Sequence, residues 1–177
     1  MIISDNKKIE VCVITTGGTI EKSYDEHTGH LVNRESVVKG LLLAHLRLPY
    51  TELKMFSLFS KDSLVMTDED RELLCKFVQS KGKEGRPILI IHGTDTMEKT
   101  ALYLHEHLND IEVPVVFTGA MKPIGFHDSD APQNVTEALV ALKLLGPGVF
   151  ISFHNRVFKL PGVRKNLEKL TFEHYEP

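Results

Sequence analysis

The sequence predicts an α/β fold of three layers, a mostly parallel sheet with helices on both faces. Two observations carry this prediction. The apolar runs are short, continuous and rich in β-branched residues, as strands buried on both faces are. Most of these runs precede a segment with helical spacing, the alternation that builds parallel sheets. The chain has 177 residues and neither a long linker nor an internal repeat, so one domain spanning 1–177 is expected.

Each element follows from its local pattern. IEVCVITTGG (9–18) is an apolar run stopped by paired glycines and reads as a buried strand. Residues 21–34 are polar and read as a mobile loop or small hairpin. SVVKGLLLAHL (36–46) has helical spacing, and LKMFSLFS (53–60) reads as a strand. Thr67, followed by Glu69 and Asp70, caps a helix that stops near Gly82. RPILIIHG (86–93) and VPVVFTGA (113–120) read as strands. Between them MEKTALYLHEHL (97–108) places Met97, Ala101, Leu104 and Leu108 on one helical stripe. A helical pattern from Asn134 to Leu145 and a strand at GVFISFHN (148–155) follow, and KNLEKLTFEHYEP after them reads as surface apart from Lys165.

Composition narrows the function. A net charge of −3 argues against a nucleic-acid partner, because phosphate binding needs a concentrated basic surface. Cys12 and Cys75 lie in apolar segments and read as buried small hydrophobes in a reducing compartment. The histidines are scattered, and His105 and His107 point to different sides of their helix, so no metal is expected. The segment SDNKK close behind Met1 is polar, unlike a signal peptide, and no run approaches the ~18 apolar residues of a membrane span. The expected location is the cytoplasm, with no membrane partner.

In parallel sheets ligands bind at the carboxyl ends of the strands. The loops there are TTGGT, SKDS, HGTDT and TGAMKP, all pairing hydroxyl or acidic residues with glycine or a basic neighbour. Gly17 and Gly18 permit a sharp turn whose N–H groups can face an oxyanion. Neither GxGxxG nor GxxxxGK[ST] is present, which argues against a nucleotide-binding domain. In HGTDTME, Thr94 or Asp95 is expected to cap the following helix, whose N-terminus favours negative charge. His92 reads as a hydrogen-bonded residue at a strand end, Lys99 and His105 as solvated, and His127, Asp128 and Asp130 as a polar loop near the pocket.

TTGGTIEK and HGTDTMEKTA, in this order and separation, resemble the N-terminal domain of bacterial-type L-asparaginases. TGAMKP, DSDAPQN and VRKN extend the resemblance from about residue 9 to residue 172. It implies hydrolysis of the side-chain amide of L-asparagine, with no cofactor. Residue by residue it implies Thr19 as the nucleophile, Tyr24 as a tyrosine closing over it, and Thr94, Asp95 and Lys165 as a hydroxyl–carboxylate–amine chain. Ser63, with its neighbour Asp62, matches the substrate-binding loop. Gly18, Gly93, Gly119 and Ala120 would line the pocket with backbone.

These residue types suit the chemistry. A threonine hydroxyl is a poor nucleophile without a base, and burial of a lysine amine favours its neutral form. A carboxylate for the ammonium and hydroxyl or N–H donors for the carboxylate are what an amino acid demands. Glutamine or another amide remains open as the substrate, since one methylene is worth only ~1–3 kcal/mol of discrimination. So does a weakly catalytic amino-acid-binding module of a larger amidotransferase. The sequence departs from the family at Leu64, where a polar residue often follows the serine, and in stopping at Pro177, where family members enter a second domain, as either a naturally short member or a fragment would. A homo-oligomer is expected, because a second copy would supply the wall that this domain gives.

Overall fold

A computed structural model describes residues 7–33, 37–41 and 43–175. The strands are β1 (Ile9–Gly17), β2 (Lys22–Asp25), β3 (His30–Asn33), β4 (Thr51–Lys61), β5 (Ile88–Ile91), β6 (Pro114–Thr118), β7 (Gly148–Phe153), β8 (Arg156–Lys159), β9 (Val163–Asn166) and β10 (Thr171–His174). The helices are α1 (Val37–Leu41), α2 (Asp68–Gly82), α3 (Met97–His107) and α4 (Ala131–Leu144). Six strands form the central sheet in the order β4-β1-β5-β6-β7-β8. All its pairs are parallel except β7–β8. The expected α/β architecture is therefore the observed one.

Successive residues of a strand point to opposite faces, and this alternation splits the core in two. Cys12, Ile14, Ile88, Ile90, Val115 and Phe117 face α2 and α3, where Leu74, Val78, Ala101 and Leu104 meet them. Val11, Val13, Leu89, Ile91 and Val116 face α4, where Val135, Ala138, Leu139 and Leu142 meet them. Each fully buried Val or Ile contributes roughly 1.5–3 kcal/mol. The central strands are apolar throughout because both faces are covered.

Local signals set the helix starts. Thr67 Oγ1 accepts the Asp70 N–H at 3.3 Å while Asp70 Oδ2 accepts the Thr67 N–H at 3.0 Å, a reciprocal cap for α2. The expected long helix over 36–46 is instead α1 followed by a short turn at Leu43–His45, and its Ser36 and Leu42 lie outside the described residues. Residues 21–34 do hold a hairpin, β2–β3.

The end of the chain differs from the surface segment expected. β9 and β10 form an antiparallel hairpin whose Val163 and Phe172 are buried. The Phe172 ring meets Phe153 edge-on at 5.1 Å between centroids. Phe172 lies directly opposite Lys165, and directly opposed residues of an antiparallel pair share a face. Burying the ring thus turns the lysine inward as well, which a linear reading of KNLEKLTF does not reveal.

Candidate functional site

The carboxyl ends of β1, β4, β5 and β6 meet through glycines. A Cβ on Gly18 would lie 2.4 Å from Gly93 Cα, and one on Gly93 would lie 2.6 Å from Ser63 Oγ. A Cβ on Gly119 would lie 2.3 Å from the His92 carbonyl oxygen. Gly18 also holds φ +86°, which side chains disfavour. The backbones after β1 and β5 are therefore in direct contact, with Ser63 against them. Thr19 follows one glycine of that contact and Thr94 follows the other.

Hydroxyls and ion pairs fix these segments. Thr16 Oγ1 donates to the Ile91 carbonyl at 3.0 Å, and Thr96 Oγ1 donates to the Ser63 carbonyl at 2.9 Å. Lys22 Nζ pairs with Asp62 Oδ2 at 2.7 Å, and Asp62 Oδ1 accepts the Leu64 N–H at 3.0 Å. The lysine and the N–H hold the Asp62 carboxyl below its ordinary range against the opposing effect of burial.

Lys165 arrives from β9, 70 residues beyond Asp95. Its Nζ donates to Thr94 Oγ1 at 2.9 Å and to Asp95 Oδ1 at 2.6 Å. The lysine side chain is only 11% exposed. Contrary to expectation, neither Thr94 nor Asp95 caps α3: the capping position is Thr96, whose side chain makes no cap bond. Thr94 and Asp95 are instead committed to the lysine. The ammonium occupies one lone pair of Thr94 Oγ1, which leaves the hydroxyl proton to be donated elsewhere.

Two expectations change. The N–H groups of the glycine turn do not face an oxyanion site: Gly17 N donates to Glu21 Oε2 at 3.0 Å and Gly18 N to the Lys61 carbonyl at 2.9 Å. Both donors are consumed inside the fold. Tyr24 is not buried as Thr94 and Lys165 are: it lies on β2, 62% exposed, with its hydroxyl 4.0 Å from where a Gly29 Cβ would be. Gly18, Gly93 and Ser63 do converge, with Thr19 and Thr94 next in the chain to the two glycines and Lys165 bonded to both Thr94 and Asp95. Gly119 and Ala120 lie buried just after β6, with Gly119 against the His92 backbone.

Reading the sequence missed Glu98 and narrowed His92. Glu98, one residue into α3, buries Oε2 without a hydrogen-bond partner. Burial pushes its carboxyl up, and the charge of Lys165 opposes that shift. His92 is fully buried, and its Nδ1 lies 2.8 Å from the Gly93 carbonyl, so that nitrogen carries the proton. Burial lowers its pKa to about 4, which makes it a neutral structural group at neutral pH. Cys12 and Cys75 are buried as expected, and burial pushes the Cys12 thiol up to about 11. Among the described residues no group of His, Cys, Asp and Glu could hold a metal, and no helix is long and apolar enough to cross a membrane.

Residues 10–170 match the family model described as asparaginase, N-terminal. An L-asparaginase of Bacillus licheniformis is 31% identical over 169 residues, which are 90% of this chain and 50% of that protein. The structure of the thermostable L-asparaginase from Thermococcus kodakarensis superposes with a TM-score of 0.82 at 27% identity, covering 94% of this chain and 51% of that one. A component of the glutamyl-tRNA(Gln) amidotransferase of Haloquadratum walsbyi is 29% identical over 147 residues, 81% of this chain and 33% of that protein. The chain spans about half or less of the length of these relatives. The chain belongs to the asparaginase family, in the part that forms its N-terminal domain.

Proposed function

We propose that this chain hydrolyses the side-chain amide of L-asparagine, giving L-aspartate and ammonia, with Thr19 as the nucleophile. The observation that carries the reading is the bond from Lys165 to both Thr94 and Asp95 beside the Gly18–Gly93 contact. The Thr19 oxygen would attack the amide carbon. Its proton would pass to the departing nitrogen, so that ammonia leaves and an ester remains on Thr19. Water would then add to the ester, its proton returning to the threonine oxygen as aspartate departs. The Thr94–Lys165–Asp95 chain supplies groups that can hold and move those protons. Asp95 and Ser63 would fix the substrate's ammonium and carboxylate groups, while Asp62, the neighbour of Ser63, already serves Lys22. Oxyanion donors must come from elsewhere than the Gly17 and Gly18 N–H groups, and the segment at Gly93 and Thr94 is the nearest source. A donor of that kind is worth about 3 kcal/mol.

The purified chain should release ammonia from asparagine. Release no greater than that of a Thr19→Ala control would overturn the reading. Mass spectrometry of the quenched reaction should find the ester on the peptide containing Thr19. An ester on Thr94 would exchange the two roles. The match to an amidotransferase component favours a second reading, an amino-acid-binding module that works with another chain. That reading predicts tight aspartate binding without turnover. The location proposed with the function is the cytoplasm. The assembly proposed is a homo-oligomer, which light scattering with activity followed on dilution would test.

A further inference from the structure

A second polar cluster lies next to the site, and its bonds join two of the segments that form it. Asp130 is its hub. The carboxylate accepts the Met121 N–H at 3.0 Å, the Lys122 N–H at 3.1 Å, Asn134 Nδ2 at 2.9 Å and His154 Nε2 at 2.9 Å. Burial pushes the Asp130 carboxyl up, but the N–H groups of Met121 and Lys122 and the His154 ring outweigh it and hold it below its ordinary range. Asn134, fully buried on α4, also donates to the Gly119 carbonyl at 3.0 Å and accepts the His154 N–H at 3.0 Å. The segment from Gly119 to Lys122 is thus fixed by two side chains of the helix start.

On its other side the His154 ring reaches the lysine hairpin. Its Nδ1 lies 3.1 Å from Thr171 Oγ1, and Thr171 is the cross-strand partner of Asn166, the neighbour of Lys165. Because the Asp130 carboxylate only accepts, Nε2 donates to it, and Nδ1 shares its hydrogen bond with the Thr171 hydroxyl. The backbone at His154 is constrained as tightly as the ring. His154 and Asn155 both adopt left-handed φ angles, 45° and 61°, in the two-residue turn between β7 and β8. Non-glycine residues keep such angles where neighbouring bonds over-determine them, here Asn134 on the His154 N–H and Glu137 on the Asn155 N–H at 2.7 Å.

We infer that Asp130 and His154 are positioning residues that hold the Lys165 hairpin in register with the Gly119–Ala120 segment of the pocket. The Phe172 anchor fixes the apolar side of the hairpin, and the Thr171–His154–Asp130 bonds fix it against sliding over that ring. Lys165 makes bonds of 2.6 and 2.9 Å, and small displacements of its strand would lengthen both. The role of Lys165 rests on the function proposed above, whereas the link itself does not.

Thr171→Val keeps the shape of the side chain and removes only its hydroxyl, and Thr171→Ser restores the hydroxyl. Hydrogen exchange of the backbone amides of Val163–Asn166 reads the register directly and needs no activity. Thr171→Val should speed that exchange about tenfold, His154→Ala should do the same, and Thr171→Ser should return it to the parent rate. The two losses together should equal either alone, because they break one chain of bonds. On asparagine, Thr171→Val should lower kcat about fivefold with KM within twofold, and Thr171→Ser should recover it. Parent-like exchange in folded Thr171→Val, or effects of the two variants that add, would overturn the inference. If the parent chain releases no ammonia, the exchange result still decides the link, and only the proposed reaction fails.

Discussion

The two sides of the candidate site are built to different standards. On one side Lys165 is 11% exposed and holds two bonds, to Thr94 and Asp95, on a hairpin anchored by Phe172. On the other, Tyr24 stands 62% exposed on a two-stranded hairpin that joins no larger sheet. Isolated hairpins are marginal, whereas a hairpin packed on a core is not. The difference teaches that the bonds of Lys165 are in place without substrate, while β2–β3 holds Tyr24 on the surface. The Lys22–Asp62 pair ties the first residue of β2 to the residue before Ser63.

The largest effect should come from the assembled side. Lys165→Met is expected to lower kcat at least ~100-fold, the scale of a lost proton-transfer group, while the protein stays folded by circular dichroism. Near-parent kcat in that variant would remove the lysine from the mechanism and dissolve the contrast. Gly18→Ala attacks the seam between the sides. Its Cβ would lie 2.4 Å from Gly93 Cα at a φ of +86°, so a loss of about 3 kcal/mol in denaturant unfolding is expected. A parent-like midpoint would show that the two glycine turns can separate freely.

Acid should find the buried wall behind the assembled side. His92 binds its proton at about 4 when folded against 6.5 ordinarily, so between those values the unfolded chain binds more protons. Its contribution is intact above pH 6.5 and is lost as pH falls toward 4, on the order of 3 kcal/mol in all. Asp62, Asp70 and Asp130, with carboxyls lowered from 3.8, add their losses further down. The melting temperature should therefore fall between pH 6.5 and 4, and His92→Asn should flatten that fall whatever its own stability. An unchanged slope would assign the acid sensitivity to other groups.

The exposed side should respond less. Tyr24→Phe is expected to lower kcat by less than tenfold, well short of Lys165→Met; an equal loss would show that the hairpin closes fully in the reacting complex. The smallest effect belongs to Glu98→Gln. Oε2 has no partner to lose, so stability at neutral pH should stay within about 0.5 kcal/mol of the parent. A larger drop by calorimetry would reveal a bond that Glu98 makes to the lysine chain.

The legibility of the sequence follows the range of the forces involved. Periodicity and glycine placement are local, and they are enough for the layered α/β class, the main strands and the loops TTGGT, SKDS, HGTDT and TGAMKP. The Thr67 cap is readable because its partner, Asp70, is three residues away. The caps expected of Thr94 and Asp95 fail because Lys165, 70 or more residues distant, competes for both side chains. No short-range pattern contains that competitor.

By itself the sequence determined which residue types stand at each strand end, since strand periodicity and turn chemistry act over a few positions. Tertiary structure decided which of them meet. It turned Lys165 inward because its cross-strand partner Phe172 is in the core. It consumed the Gly17 and Gly18 donors because Glu21 and Lys61 fold against them. It left Tyr24 exposed on a hairpin whose strands, among the described residues, pair only with each other. Apart from the Gly17–Glu21 bond, which spans four residues, the deciding contact is either long-range or depends on which face is buried, and burial is a property of the packed chain rather than of any segment.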